Sequence, residues 1–290
     1  MPTKIEKDSV TGTMTTGHEW DGIKELNTPL PKWWLYTFYA TIVFGVVYTV
    51  LYPAWPTLSA HTRGALGWTQ RQELADKLDQ EQQRLAPVMA KIQETDIAAI
   101  RENPELMGYV MAAGRVAFAD NCAGCHGAGG AGAAGGFPSL ADDDWIWGGT
   151  PDQILQTVAY GVRNANENSR VNDMPRFGAD QLLEKAQIDD VAEYVLSLSG
   201  TAGDAAAAER GASVYAENCA SCHGEKGEGI VDLGGPRLND GIWLYGGDKA
   251  SVVHSITYAR RGNMPAWSER LDPATVKVLA AYVHALGGGQ

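Results

Sequence analysis

The chain has 290 residues, enough for two or three folding units, and its 44% hydrophobic and 20% charged content excludes a disordered polyelectrolyte. A formal net charge of -12 argues against nucleic acid and anionic lipid headgroups as partners. It favours encounter with a basic protein.

Residues 1–32 are polar and carry Gly22, Asn27, Pro29 and Pro31, which predicts a mostly irregular tail. The run from Trp33 to Tyr52 then contains no Asp, Glu, Lys, Arg or His. Its 20 residues match the roughly 20 that a helix needs to cross the hydrocarbon core. Trp33, Trp34, Tyr52 and Trp55 suit the two membrane interfaces, so a single transmembrane helix is expected over 33–55. A cleaved leader fits poorly, because 32 mostly polar residues precede the run and no small-residue cleavage site is evident. A buried globular helix is rarely this long and uncharged. Pro53 and Pro56 end the helix. Lys24 and Lys32 before the run balance Arg63 and Arg71 after it, so positive charge does not orient the span.

Residues 56–107 predict a helical linker. Leu74, Leu78, Leu85, Val88 and Ile92 recur near helical spacing, and Pro87 is expected to start a second helix. Two readings stay open for this segment: a spacer that touches a partner, or a solvated amphipathic connector.

The remainder is an internal repeat. Cys122-Ala123-Gly124-Cys125-His126-Gly127 returns 97 residues later as Cys219-Ala220-Ser221-Cys222-His223-Gly224. Gly114 matches Gly211, Phe118 matches Tyr215, and Pro138-x-Leu140 matches Pro236-x-Leu238. Trp145 and Gly148-Gly149 match Trp243 and Gly246-Gly247, and Tyr160 and Arg163 match Tyr258 and Arg261. Met174-Pro175 matches Met264-Pro265, and Tyr194-Val195 matches Tyr282-Val283. Each copy reads as a small helical domain, 108–200 and 205–290, that opens with a helix into the cysteine motif and closes with the tyrosine helix. Gly114 and Gly211 are expected to let the first and last helices of each copy cross closely, since glycine permits near backbone contact.

C-x-x-C-H is the attachment signature of c-type haem. Two thiols on one helical turn reach the two vinyl groups of one porphyrin, and the following histidine reaches its iron. Cys122, Cys125, Cys219 and Cys222 are all the cysteines of the chain, so two covalently bound haem c groups account for every thiol. Paired C-x-x-C motifs also build zinc sites, but here each pair has its own histidine and a full domain separates them. His126 and His223 are the proximal ligands. Met174 and Met264, each followed by proline late in its repeat, are the distal candidates; a thioether raises the potential relative to bis-histidine ligation. His254 and His284 are rivals without counterparts in the first repeat, where Gln156 and Leu196 align with them.

Pro138 and Pro236 follow the histidines by 12 and 13 residues, placing a carbonyl where it can accept a hydrogen bond from the imidazole. Arg163, Arg261, Trp145 and Trp243 are candidates to meet propionates or cover haem edges, with domain packing as the equal alternative. The first repeat carries eight more residues than the second between its proline and its methionine. This polar 164–173 excursion reads either as a partner-docking loop or as a tolerated surface insertion.

The stretch His18-Glu19-Trp20-Asp21-Gly22-Ile23-Lys24-Glu25-Leu26-Asn27, continued by Thr28-Pro29-Leu30-Pro31-Lys32-Trp33-Trp34, resembles the N-terminal segment of the CcoP (FixP) subunits of cbb-type haem–copper cytochrome c oxidases. Gly67-Trp68-Thr69-Gln70-Arg71 and the tandem motifs extend the resemblance over nearly the whole chain. The fold it implies is mainly α: one transmembrane helix, a helical linker and two tandem class I cytochrome c domains. It also implies that Cys122, Cys125, His126 and Met174 serve one haem, and Cys219, Cys222, His223 and Met264 the other. The implied setting is the bacterial inner membrane, N-terminus cytoplasmic and haem domains periplasmic, because c-type haem is attached outside the cytoplasmic membrane. The implied partners are a catalytic haem–copper subunit, a monohaem cytochrome subunit and a cytochrome c donor.

On this reading the chain is not an enzyme by itself. It passes electrons to a core that reduces oxygen and pumps protons. The rival readings are a membrane-anchored dihaem carrier for another respiratory complex, and a dihaem peroxidase, which needs an open position on one iron.

Overall fold

The structure is a computed structural model in which residues 4–288 are described. It divides into two compact units, one up to Arg84 and one from Leu85 onward.

The first unit opens with an antiparallel hairpin, β1 (Thr15–Trp20) and β2 (Ile23–Leu26), where an irregular tail was expected. Trp20 pairs with Ile23 across a two-residue turn, Asp21-Gly22, with both φ positive at 51° and 81°. That is the turn whose twist suits a hairpin, and Asp-Gly is its preferred sequence. The helix α1 (Lys32–Leu51) has no buried residue and is long and apolar enough to cross a membrane. It stops at Leu51, short of the expected 55, because Tyr52 precedes Pro53 and is forced into an extended conformation. The chain then turns back on the helix end: Ala65 N–H donates to Val50 O (2.8 Å) and Leu66 N–H to Leu51 O (3.1 Å), satisfying carbonyls that the helix itself leaves unpaired.

The helix α2 (Gln70–Glu94) runs through Pro87 and does not restart there. A proline removes one N–H from the ladder, but Val88, Met89 and Ile92 just beyond it pack into the core of the second unit, and that burial outweighs the local cost.

The second unit contains α3 (Ile97–Glu102), α4 (Pro104–Asn121), the one-turn α5 (Ala123–His126), α6 (Pro151–Tyr160), α7 (Lys185–Leu198), α8 (Ala205–Asn218), the one-turn α9 (Ala220–His223), α10 (Lys249–Tyr258) and α11 (Pro273–His284). Side-chain caps fix several starts: Asn103 on α4, Thr150 on α6, Asp204 on α8, Asp248 on α10 and Asp272 on α11.

The repeats do not fold as two self-contained bundles. One core gathers Val110 and Phe118 of α4, Ile154 and Val158 of α6, and Val278, Leu279, Tyr282 and Val283 of α11. The other gathers Val191 and Val195 of α7, Tyr215 of α8, and Val252 and Ile256 of α10. The helix that closes each copy therefore crosses the helix that opens the other. The expected glycine crossings exist, but between copies: a Cβ on Gly114 would stand 2.6 Å from Tyr282 Cβ, and one on Gly211 would stand 2.2 Å from Asp190 O. The cause is the connection between α7 and α8, only residues 199–204. A link this short makes the helices it joins antiparallel neighbours, so α7 takes the place on α8 that α11 would otherwise fill.

Candidate haem sites

Each cysteine motif sits where a long helix breaks into a single turn. Cys122 ends α4 at φ -117° and begins α5, with His126 N–H donating to Cys122 O at 2.9 Å. Cys219 does the same between α8 and α9 at φ -118°, with His223 N–H to Cys219 O at 3.0 Å. Gly127 (φ 76°) and Gly224 (φ 81°) stop each turn in a conformation that side chains resist. The next loop is anchored by Gly132 N–H to His126 O (2.7 Å) and by Gly229 N–H to His223 O (2.8 Å).

That loop brings a proline carbonyl onto each imidazole. His126 Nδ1 lies 3.0 Å from Pro138 O, and His223 Nδ1 lies 2.9 Å from Pro236 O. A carbonyl can only accept, so Nδ1 carries the proton and Nε2 keeps its lone pair for a metal. Burial holds His223 below its ordinary 6.5, against the pull of the Pro236 carbonyl, which keeps the ring neutral as a ligand must be. Burial, with the neighbouring thiol adding to it, pushes Cys122 and Cys219 up to about 11.

The methionines sit crosswise. Met264 packs against the core that holds Phe118 and Tyr282, beside Cys122, Leu140 and Trp145. Met174 packs against the core that holds Tyr215 and Val195, beside Cys219, Leu238 and Trp243. The resemblance implied Met174 with Cys122 and Met264 with Cys219, whereas each methionine here packs against the core that the other repeat's first cysteine adjoins. The exchange of closing helices explains it. The Met264 segment runs along the end of α6, with Trp267 N–H to Val158 O (3.3 Å) and Ser268 N–H to Ala159 O (3.0 Å). The Met174 segment runs along the end of α10, with Phe177 N–H to Ile256 O (3.2 Å) and Ala179 N–H to Thr257 O (3.0 Å).

The other candidates separate. Trp145 lies against Gly149 and donates to Gly288 O, while Trp243 lies against Gly247. Arg163 and Arg261 converge on Asp173: Arg163 Nε is 2.9 Å from Asp173 Oδ1, and Arg261 pairs with Oδ2. His254 is exposed and its ring lies tilted at 4.7 Å from that of Tyr258; His284 is buried at the end of α11, its Nε2 3.4 Å from Arg101.

Sequence reasoning passed over Trp147 and Tyr245. The Trp147 ring covers Gly234 and the Tyr245 ring covers Gly136, so each aromatic closes over the other repeat's proline loop. Arg170 stands 5.4 Å from the Trp147 ring and Arg260 stands 4.9 Å from the Tyr245 ring. The signal was available, because Trp147 and Tyr245 share the offset of Trp145 and Trp243.

Among the described residues, no group of three or more His, Cys, Asp or Glu is arranged to hold a bare metal ion. Two free thiols and a carbonyl-anchored imidazole on one turn, with a thioether in the adjoining core, do fit haem c.

A helical chain built twice around this arrangement is a c-type cytochrome. Family models agree along its length: the N-terminal domain of cytochrome oxidase-cbb3, FixP, matches residues 12–59, cytochrome c matches 111–199, and cytochrome C oxidase, cbb3-type, subunit III matches 206–283. The cbb3-type cytochrome c oxidase subunit FixP of Azorhizobium caulinodans is 54% identical over 98% of this chain and 96% of its own length. Subunit CcoP of Azospirillum brasilense is 52% identical over 98% and 99%, and that of Cereibacter sphaeroides 47% over 95% and 95%. The chain belongs to this FixP/CcoP family of cbb3-type cytochrome c oxidase subunits.

Proposed function

We propose that the chain is the electron-entry subunit of such an oxidase, taking electrons singly from a cytochrome c donor and passing them to the catalytic haem–copper subunit. Two covalently held haems, when bound, supply one iron-centred redox site in each half of the second unit. Cys122 and Cys125 tether one and His126 orients its iron; Cys219, Cys222 and His223 do the same for the other. Met264 would complete the ligand set of the haem held by His126, and Met174 that of the haem held by His223. Pro138 and Pro236 keep each imidazole in one tautomer and orientation, while Leu140, Trp145, Leu238 and Trp243 exclude water.

The domain limits 108–200 and 205–290 describe the repeats in sequence, joined in space by the exchange of closing helices. The apolar helix anchors the chain in the bacterial inner membrane, N-terminus cytoplasmic and haem-bearing unit periplasmic. A monohaem cytochrome subunit completes the assembly, and nucleic acid has no role. The observation that carries this reading is the duplicated histidine–proline contact, each with a methionine supplied by the other repeat. Mass spectrometry of the isolated native complex tests it: two added porphyrins on this chain and a co-purifying haem–copper subunit are expected. One porphyrin, or a different partner set, overturns it.

A further inference from the structure

Met264 is held by its backbone, and the hold comes from the segment that sequence alone left without a role. Val162 N–H donates to Met264 O at 3.0 Å and Met264 N–H donates to Val162 O at 2.8 Å, an isolated antiparallel bridge between the repeats. Asn164, the first residue of the excursion, adds a side-chain clamp. Its Nδ2 donates both to Met264 O (2.7 Å) and to Tyr160 O (2.9 Å), and its Oδ1 accepts from Asn166 N–H (2.8 Å). Both amide protons and the amide oxygen are engaged, which fixes the side chain in one orientation. Gly161 makes the approach possible: at φ +68°, a Cβ there would stand 2.3 Å from Met264 O.

The rest of the excursion braces the same seam. Asn166 Nδ2 reaches Glu269 Oε1 (2.7 Å), Asn172 Nδ2 reaches Leu233 O (2.5 Å) and Asp173 pairs with Arg261, while Arg163, just before the excursion, reaches Gly262 O (3.4 Å). The other repeat has no equivalent. Gly262 stands where Asn164 would be, and Arg260 and Met174, at the places of Val162 and Met264, form no such bridge among the described residues.

We propose that Asn164 is a positioning residue for Met264, restraining the backbone so that the thioether stays on the iron served by His126, and that the 164–173 excursion is an internal brace between the repeats. The inference rests on Met264 being that iron's ligand. A methionine–iron bond is weak, and its occupancy depends on how little freedom the backbone gains when it breaks. Met174 lacks the clamp, so the two irons differ in how firmly each methionine is held.

The test uses the full-length holoprotein and carbon monoxide, which binds only an iron whose sixth position opens. Asn164→Ala is expected to raise the carbon monoxide-reactive fraction of one haem about tenfold over wild type, the factor that one hydrogen bond is worth. That haem should also lose part of its far-red methionine–iron band and titrate at a lower potential, with the other haem unchanged. Asn164→Asp keeps the acceptor for Asn166 N–H but turns a carboxylate oxygen toward two carbonyls, so a larger effect is expected. Asn166→Ala removes the brace contact to Glu269 but no contact to Met264, so its carbon monoxide-reactive fraction should rise distinctly less than that of Asn164→Ala. Asn164 variants indistinguishable from Asn166→Ala overturn the proposal, as does Asn164→Asp behaving like wild type. Met264→Ala separates the two levels: if it opens no haem, the ligand assignment fails; if it opens one while Asn164→Ala opens none, only the positioning role fails.

Discussion

Gly114 in the first repeat lies against Tyr282 in the second, close enough that a Cβ would stand 2.6 Å from the tyrosine's own. Gly211 and Asp190 make the reciprocal crossing, where the nearest atom is a main-chain oxygen at 2.2 Å. Around each crossing an aromatic pair closes the core, Phe118 with Tyr282 at 5.6 Å and Tyr194 with Tyr215 at 4.9 Å. The two repeats are therefore interlocked, each completed by a helix from the other.

These crossings rank two substitutions. Alanine gains about 1 kcal/mol over glycine in a helix interior, but overpacking costs about 1–3 kcal/mol. At Gly114 the nearest atom is Tyr282 Cβ at 2.6 Å, which moves only with its backbone but leaves more room than the 2.2 Å at Gly211, so Gly114→Ala should destabilise by about 1 kcal/mol. At Gly211 the obstacle is backbone, so Gly211→Ala should lower stability by about 2 kcal/mol. Denaturant midpoints of the two holoproteins decide the order, and a Gly211→Ala protein as stable as wild type would contradict this packing.

Interlocking also predicts how the repeats behave apart. Residues 104–199 expressed alone carry Cys122 and His126 but lack α11 and Met264, leaving Val110 and Phe118 without their covering helix. The fragment should fail to form a compact, methionine-ligated cytochrome, and adding 205–288 in trans should restore it. Circular dichroism and the far-red band report the outcome. A well-folded, methionine-ligated single repeat would show that each copy closes on itself.

Tyr215 offers a cleaner single-bond test. Its hydroxyl donates to Gly224 O at 2.7 Å, and the side chain is 1% exposed. Burial pushes this phenol above its ordinary 10, so it remains a donor across the working range. Phe118 at the matching place shows that the ring alone fits. Tyr215→Phe should therefore keep the fold and cost about 1 kcal/mol for the unpaired carbonyl, read as a denaturation midpoint with the absorption spectrum unchanged. The reverse change, Phe118→Tyr, probes whether the first repeat can accept the same bond.

Much of this was legible in the sequence for identifiable reasons. Cys122, Cys125 and His126, with their copies, are constrained by covalent reach, so spacing alone locates them. Pro138 and Pro236 follow at a distance that one loop geometry satisfies. What the sequence concealed is which copy each element serves. Two repeats with like faces offer α7 and α11 two equivalent docking sites, and the choice falls to the length of 199–204, a property of the connection. Met174 and Met264 follow that choice, so which core each one joins was hidden with it. The hairpin was missed for a different reason: Asp21-Gly22 is a strong turn signal, but its flanks lack the apolar alternation of a strand in a core. Pro87 misled because local propensity is weaker than the burial of Ile92 just beyond it.

Glu193 ties that decisive connection down and makes it sensitive to acid. It lies in α7, is 3% exposed, and accepts from Gly203 N–H (2.8 Å) and Asp204 N–H (3.1 Å) while pairing with Lys249 Nζ at 2.8 Å. The Lys249 ammonium, helped by the two main-chain donors, holds this carboxyl below its ordinary 4.5 against the opposing effect of burial. A depressed carboxyl stabilises the fold fully above its unfolded value and ceases to as pH falls through the folded one, so the loss lies below 4.5. Lys249, raised above 10.5 chiefly by the same bond, sets the upper edge: its share is present below 10.5 and disappears as pH climbs past the folded value. Glu193→Gln keeps one acceptor but loses the charge, and should cost about 2 kcal/mol at neutral pH. Once pH falls through the depressed folded value the wild-type carboxyl is itself protonated, so the gap in denaturant midpoint should narrow as pH drops below 4.5 and close at the acid limit. A gap between them that stays constant from neutral pH down to the acid limit would mean that Glu193 acts by shape and not by charge.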